Sequence, residues 1–168
     1  MDDGSGRVVA PLGSPAVLVS ACLIGVRCNH LGAASTSQAV VALGRTHRLI
    51  PVCPETVGGL PTPRTAAERQ PDGSIRTADG TDVTEAYRRG ARHAVHLAAV
   101  TGATRAVLKA RSPSCGCHEI YDGTFTRTRV AGLGVTAEAL RDAGVDVVSE
   151  EDIDPPGLDG DGSASRSS

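Results

Sequence analysis

The chain has 168 residues, enough for one domain, and a formal net charge of −2, so no basic field draws it to nucleic acid or to an anionic membrane surface. Its apolar fraction is 40%, with one Phe, two Tyr and no Trp, so its core must be assembled from many small aliphatic side chains. That composition argues against an aromatic-rich β-sandwich and suits a parallel sheet covered by Ala-rich helices.

Residues 1–14 are rich in Gly, Ser, Asp and Pro and are expected to form a disordered tail. No signal-peptide pattern is visible: Asp2 and Asp3 are acidic, and Pro11, Gly13, Pro15 and Gly25 interrupt the apolar run from Val8 to Val26. The expectation is a cytoplasmic protein. Val17–Ser20 reads as a buried strand. It runs into a loop from Ala21 to His30, which carries Cys22 and Cys28. Ser35 or Thr36 is positioned to cap a helix from Gln38 to Leu43, closed by Gly44. Leu49–Cys53 is the next strand, and Pro51 argues for an edge position or for the strand's first residues. A turn-rich loop, Pro54–Arg64, follows, and then a small β excursion at Ser74–Thr77 with an Asp79-Gly80 turn.

The strongest helical signal is Val83–Val100. Its stripe is Val83, Ala86, Tyr87, Ala91, Ala94, Val95 and Ala98, with Asp82 at the N-cap, Glu85 at the capping-box position and Gly102 as the stop. Arg105–Lys109 is a third strand. Thr136–Ala143 is a last helix, with Thr136 as cap and Gly144 as stop, and Val145–Val148 is a last strand. From Glu151 onward the chain is acidic and Gly/Ser-rich, and 151–168 is expected to be disordered. The alternation of strands and helices predicts a single α/β domain over 15–150. It is three-layer-like, with a small, mainly parallel sheet flanked by helices in a Rossmann-like arrangement.

Five cysteines without a secretory context point to metal or catalytic chemistry rather than a disulfide framework. Cys22, Cys53 and Cys115 each lie at, or just past, the carboxyl end of a predicted strand. In an open parallel sheet those ends share one edge, and ligands bind outside it. The bland alternative, that each is a small buried hydrophobe, does not account for three thiols at three strand ends beside polar residues. Three thiolates suggest a metal centre with one open position. Soft donors select zinc, copper(I) or an iron–sulfur cluster, and spacing alone does not choose among them.

Cys28 is a possible fourth ligand. Cys117 reads as a bystander, His30 and His118 as metal ligands or, more commonly for loop histidines, solvated side chains, and His93 and His96 as surface residues. Glu55 is either a loop carboxylate or an acid/base beside the metal. Ser112 and Ser114 are turn hydroxyls, of which Ser112 is able to orient water or substrate. Lys109, Arg111 and Arg64 are anion binders or ordinary surface charges.

The motifs Val19-Ser-Ala-Cys-Leu-Ile-Gly25, Ile50-Pro-Val-Cys-Pro-Glu55, Gly58-Gly-Leu-Pro-Thr-Pro-Arg64, Asp82-Val-Thr-Glu85, Leu108-Lys-Ala-Arg-Ser-Pro-Ser-Cys-Gly116 and Glu119-Ile-Tyr-Asp-Gly-Thr-Phe125 resemble those of bacterial thiouracil desulfurases (desulfidases), over Val17 to Ser149. The resemblance implies a 4Fe–4S cluster held by Cys22, Cys53 and Cys115, with one iron left open for the sulfur of a thiolated pyrimidine. Water replaces that sulfur, giving uracil and hydrosulfide without net redox change. It also implies Glu55 as proton shuttle and Ser112 as the residue that positions water or base. The implied partner is a small thiolated base; thiolated uridine in nucleosides or tRNA, and a non-catalytic zinc-binding module, are the alternatives. A monomer or a dimer is expected. The chain departs from the family at Cys28-Asn-His-Leu-Gly32, where Cys-Arg-Tyr-Asp-Gly is usual, and at Cys117.

Overall fold

In chain order the elements are β1 (Ala16–Ser20), α1 (Gln38–Leu43), β2 (Arg48–Val52), α2 (Pro54–Val57), β3 (Ala67–Arg69), β4 (Ile75–Thr77), α3 (Thr84–Thr101), β5 (Arg105–Leu108), β6 (Glu119–Tyr121), β7 (Arg129–Ala131), α4 (Val135–Asp142) and β8 (Asp146–Ser149). The computed structural model describes residues 10–154. Four strands form one all-parallel sheet in the order β2-β1-β5-β8, and the β3–β4 and β6–β7 pairs are separate antiparallel hairpins.

Every residue of β1 is buried, as expected of a short aliphatic strand with a neighbour on each side and helices on each face. Successive side chains point to opposite faces. Ala16 and Leu18 join Ala106, Leu108 and Val147 in a core with Ala94, Ala98, Ala137 and Leu140 of α3 and α4. Val17 and Val19 join Val107 in a second core on the α1 side, with Leu23 and Val40. The composition explains how close the first layer lies: the buried face of α3 is Tyr87, Gly90, Ala91, Ala94 and Ala98. The predicted fold class is thus the observed one, and β2, which carries Pro51, is an edge strand.

The chain passes from β1 outward to β2, then back past β1 to β5 and on to β8. The direction of winding therefore reverses between β1 and β5, where a crevice opens beyond the carboxyl ends. Register places Ser20 beside Val52, and Leu108 beside Ser149, so these ends lie along one edge.

Several local expectations are corrected. The cap of α1 is Ser37, whose hydroxyl accepts from the Val40 N–H at 3.4 Å, because the Ser35 N–H is tied back to the Cys22 carbonyl. Asp82 bonds the Thr84 N–H in a local turn, Val83 is the N-cap, and Glu85 pairs with Arg92 instead of closing a capping box. Gly134 is the N-cap of α4; Thr136 is fully buried, and its hydroxyl bonds that of Ser114 at 2.8 Å. Within the predicted loops, Ala21–Ile24 forms a 3₁₀ turn and Pro54–Val57 a single helical turn. The β excursion is half of a hairpin, and the β6–β7 hairpin is a further element whose three-residue strands carry no period in the sequence. Glu150–Asp152 forms a 3₁₀ turn. The rest of the expected C-terminal tail and residues 1–9 lie outside the described residues.

Candidate active site

Beyond the carboxyl edge lies a cleft of about 570 Å³ lined by Cys22, Cys28, Cys53 and Cys115 together with Glu55 and Ser112. Cys22 sits in the 3₁₀ turn after β1, Cys53 at the N-cap of α2 after β2, and Cys115 in the loop after β5. The Cys53 thiol donates to the Cys28 carbonyl at 3.6 Å. Burial pushes the Cys22 thiol up to about 11, with the charge of Cys53 adding to it. Burial likewise pushes Cys28 up to about 12, with Cys53 and Cys22 adding. Cys115 is raised by burial first, then by Glu55, Cys22 and Cys53, against a lowering hydrogen bond from Ser20.

Cys117 is the outsider. It is pushed up to about 12 by burial, with Glu150 and Asp152 adding, and no cysteine acts on it; its thiol donates to the Cys115 carbonyl at 3.3 Å.

Among the described residues no group of three or more His, Cys, Asp or Glu is gathered closely enough to hold a single metal ion. The donor set fits an iron–sulfur cluster instead. Its donors are soft thiols, binding would take their protons, and a cluster spreads its ligands over separate iron atoms. The cluster's iron charge would offset the burial that chiefly keeps Cys22, Cys28 and Cys115 protonated when free.

Glu55 lies in the first turn of α2, whose seating on α3 depends on two glycines. A Cβ on Gly58 would lie 2.2 Å from the Ala86 carbonyl oxygen, and one on Gly90 1.9 Å from that of Pro54. Arg64 Nε donates to Glu55 Oε2 at 2.6 Å, with the two side chains 7% and 13% exposed. Arg64 therefore neutralises Glu55 rather than standing free for an anion. Tyr87, read from the sequence only as part of an apolar stripe, also lines the cleft. Burial, and then the Glu55 charge, raise its hydroxyl pKa.

The Ser112 hydroxyl accepts from the Ser114 and Cys115 N–H groups, both at 3.1 Å. It fixes the turn that presents Cys115 and still borders the cleft. A hydroxyl oxygen has two lone pairs and one proton, so what Ser112 has left to offer is its O–H as a donor. The loop lies tight against α4: a Cβ on Gly134 would meet the Ser114 carbonyl group at 2.3 Å.

Lys109 and Arg111 also line the cleft but are paired with Glu150 (2.6 Å) and Glu151. His118 bonds Asp152 at 2.7 Å, and His93 and His96 are exposed on α3. In the departed loop, Asn29 accepts from Leu31 and Ala33 N–H groups at 3.0 and 2.8 Å, and Asn29 and His30 border the cleft. The unforeseen β6–β7 hairpin contributes Tyr121 and Arg127. Its tip is held by buried Glu68, which accepts from Gly123 and Phe125 N–H groups at 3.0 Å each. Tyr121 falls in the Glu119–Phe125 motif, whereas nothing in the sequence around Arg127 marks it as a cleft residue.

Residues 17–152 match the model of the 2-thiouracil desulfurase family. The chain belongs to this family. The chain is also similar to two known proteins. The uncharacterized protein YbbK of Bacillus subtilis (strain 168) is 38% identical over 146 residues, covering 82% of this chain and 97% of YbbK. A solved structure of the 4Fe-4S-dependent thiouracil desulfidase TudS is 42% identical with a TM-score of 0.77, covering 82% of this chain and 92% of TudS. As a desulfurase-family member the chain is placed among enzymes. None of its described helices is long and apolar enough to cross a membrane.

Proposed function

We propose that this chain is a 4Fe–4S-dependent desulfidase of a small thiolated pyrimidine, 2-thiouracil or a related base. It hydrolyses the carbon–sulfur bond to give uracil and hydrosulfide. The observation that carries the reading is that three distant thiols, Cys22, Cys53 and Cys115, border one cleft together with Glu55 and Ser112. Family membership and the likeness to TudS support it.

Cys22, Cys53 and Cys115 would hold the cluster, with Cys28 as a neighbour outside the ligand set. Bound there, the cluster would supply Lewis acidity toward a thiocarbonyl sulfur. The remaining work falls to the side chains. Glu55, held by Arg64, takes a proton from the water that adds to the ring carbon and delivers it to the departing sulfur. Ser112, with its oxygen lone pairs engaged by two N–H groups, donates to that water or to the ring and so orients it. One oxygen enters from water, one sulfur leaves as hydrosulfide carrying one of water's protons, the second proton passes to solvent as the ring carbonyl forms, and no electron is gained or lost. Tyr87, protonated and buried beside Glu55, helps to keep bulk water away from the carboxylate.

The test is anaerobic reconstitution with iron and sulfide, followed by hydrosulfide release from 2-thiouracil. The expected outcome is turnover that falls by about 10²–10⁴-fold in Glu55→Gln with the cluster retained, and a cluster lost or incomplete in Cys22→Ala. A full cluster in Cys22→Ala, or one zinc per chain with no labile sulfide, would overturn the reading. Thiolated uridine and thiolated tRNA in the same assay separate a free-base substrate from a nucleoside or RNA one.

A further inference from the structure

We infer that Arg64 is a positioning residue of the desulfuration reaction, fixing the Glu55 carboxylate and locking it to the loop that carries Cys28. The inference rests on the desulfidase reading of the cleft. The Arg64 guanidinium is nearly sealed from solvent, and all three of its nitrogens are engaged. Nε donates to Glu55 Oε2 at 2.6 Å, one terminal nitrogen to the Pro61 carbonyl at 3.2 Å and Thr62 hydroxyl at 3.3 Å, and the other to the Cys28 carbonyl at 3.0 Å. Its backbone N–H donates to the His30 carbonyl at 2.9 Å.

One side chain thus joins three segments: α2 with Glu55, the loop after β1, and its own turn. The Cys28 carbonyl it holds also accepts the Cys53 thiol, so the same fork bears on the position of a proposed cluster ligand. A guanidinium presents its donors in a rigid planar fork, whereas an ammonium is a point charge on a flexible stem. Glu55 is 13% exposed, and without Arg64 its carboxylate would be a largely buried charge that has lost its cationic partner. Displacing an acid/base group by about 1 Å costs on the order of 10²-fold in rate.

The experiment compares wild type with Arg64→Gln, Arg64→Lys and Arg64→Ala after anaerobic reconstitution, reading kcat, KM and iron and labile sulfide per chain. Arg64→Gln is expected to lose about 10²-fold in kcat with KM little changed and iron content near wild type. Arg64→Lys, the variant that keeps the buried charge and hence the fold, falls between the two. Added guanidinium is expected to restore part of the rate to Arg64→Ala and none to Glu55→Gln. A kcat within twofold of wild type in both Arg64→Gln and Arg64→Lys overturns the inference and leaves the desulfidase reading standing. So does a loss that merely tracks iron content. A wild type that releases no hydrosulfide overturns the desulfidase reading, and this inference with it.

Discussion

Cys115 and Cys117 are two residues apart and both are buried, yet only Cys115 borders the cleft with Cys22 and Cys53. Between them Gly116 allows an approach that any Cβ would block, with the Ser112 and Glu119 carbonyl oxygens 2.9 Å from where it would lie. The turn therefore sends one thiol to the cysteine group and the other toward Arg141 and the acids after β8. Burial is the main cause that raises Cys22 from an ordinary 9.0 to about 11 and Cys28 to about 12. The neutral thiol is the form that folding favours, so the stability it contributes is whole below pH 9 and is lost as pH rises toward 11–12. The metal-free protein should hold its urea midpoint below pH 9 and lose it steadily above. A Cys22→Ser/Cys28→Ser double variant should fall less steeply; equal slopes would contradict this account.

At the scale of elements, α2 is one turn long and would not persist alone. It holds because Gly58 and Gly90 let it approach α3 to backbone contact. Helix propensity alone says that Gly90→Ala should stabilise α3 by about 0.8–1 kcal/mol. The added methyl, however, would fall 1.9 Å from the Pro54 carbonyl oxygen, so α2 must move and carry Cys53 and Glu55 with it. Overpacking costs about 1–3 kcal/mol, which exceeds the propensity gain. Gly90→Ala is therefore expected to be less stable in urea and to take up less iron on reconstitution. Stability that rises as propensity alone requires would show that the approach is not tight. The same reasoning explains the misread caps: Thr136 has a helix-starting side chain, but Ser114 engages it first.

Across the whole molecule, the last strand closes the site opened by the first. Glu150, just past β8, accepts from Lys109 Nζ and the Ala110 N–H, both at 2.6 Å, while the Lys109 N–H donates to Ser20 Oγ of β1 at 2.9 Å. The segment leading to Ser112 is thereby clasped from both flanking strands. Glu150→Gln should cost about 1–2 kcal/mol in chemical denaturation, the value for a charged hydrogen bond discounted for the exposure of Lys109. It should also slow hydrosulfide release more than Glu85→Gln, which removes the exposed pair with Arg92. Equal effects from the two changes would mean that the clasp does not reach the site.

The sequence by itself determined the α/β order, because burial on both faces writes aliphatic runs into strands and a 3.6-residue stripe into α3. It also determined the meeting of Cys22, Cys53 and Cys115, since parallel strands must end along one edge, and the motifs carried the family. The tertiary structure alone decided that Arg64 belongs to Glu55, that Tyr87 and the β6–β7 hairpin border the cleft, that Cys28 joins the thiols while Cys117 does not, and that Lys109 answers to Glu150. The two ion pairs join residues 9 and 41 positions apart through turns too short to carry a period. Local pattern records which face a residue presents, whereas its partner across a loop is fixed only when the loops pack.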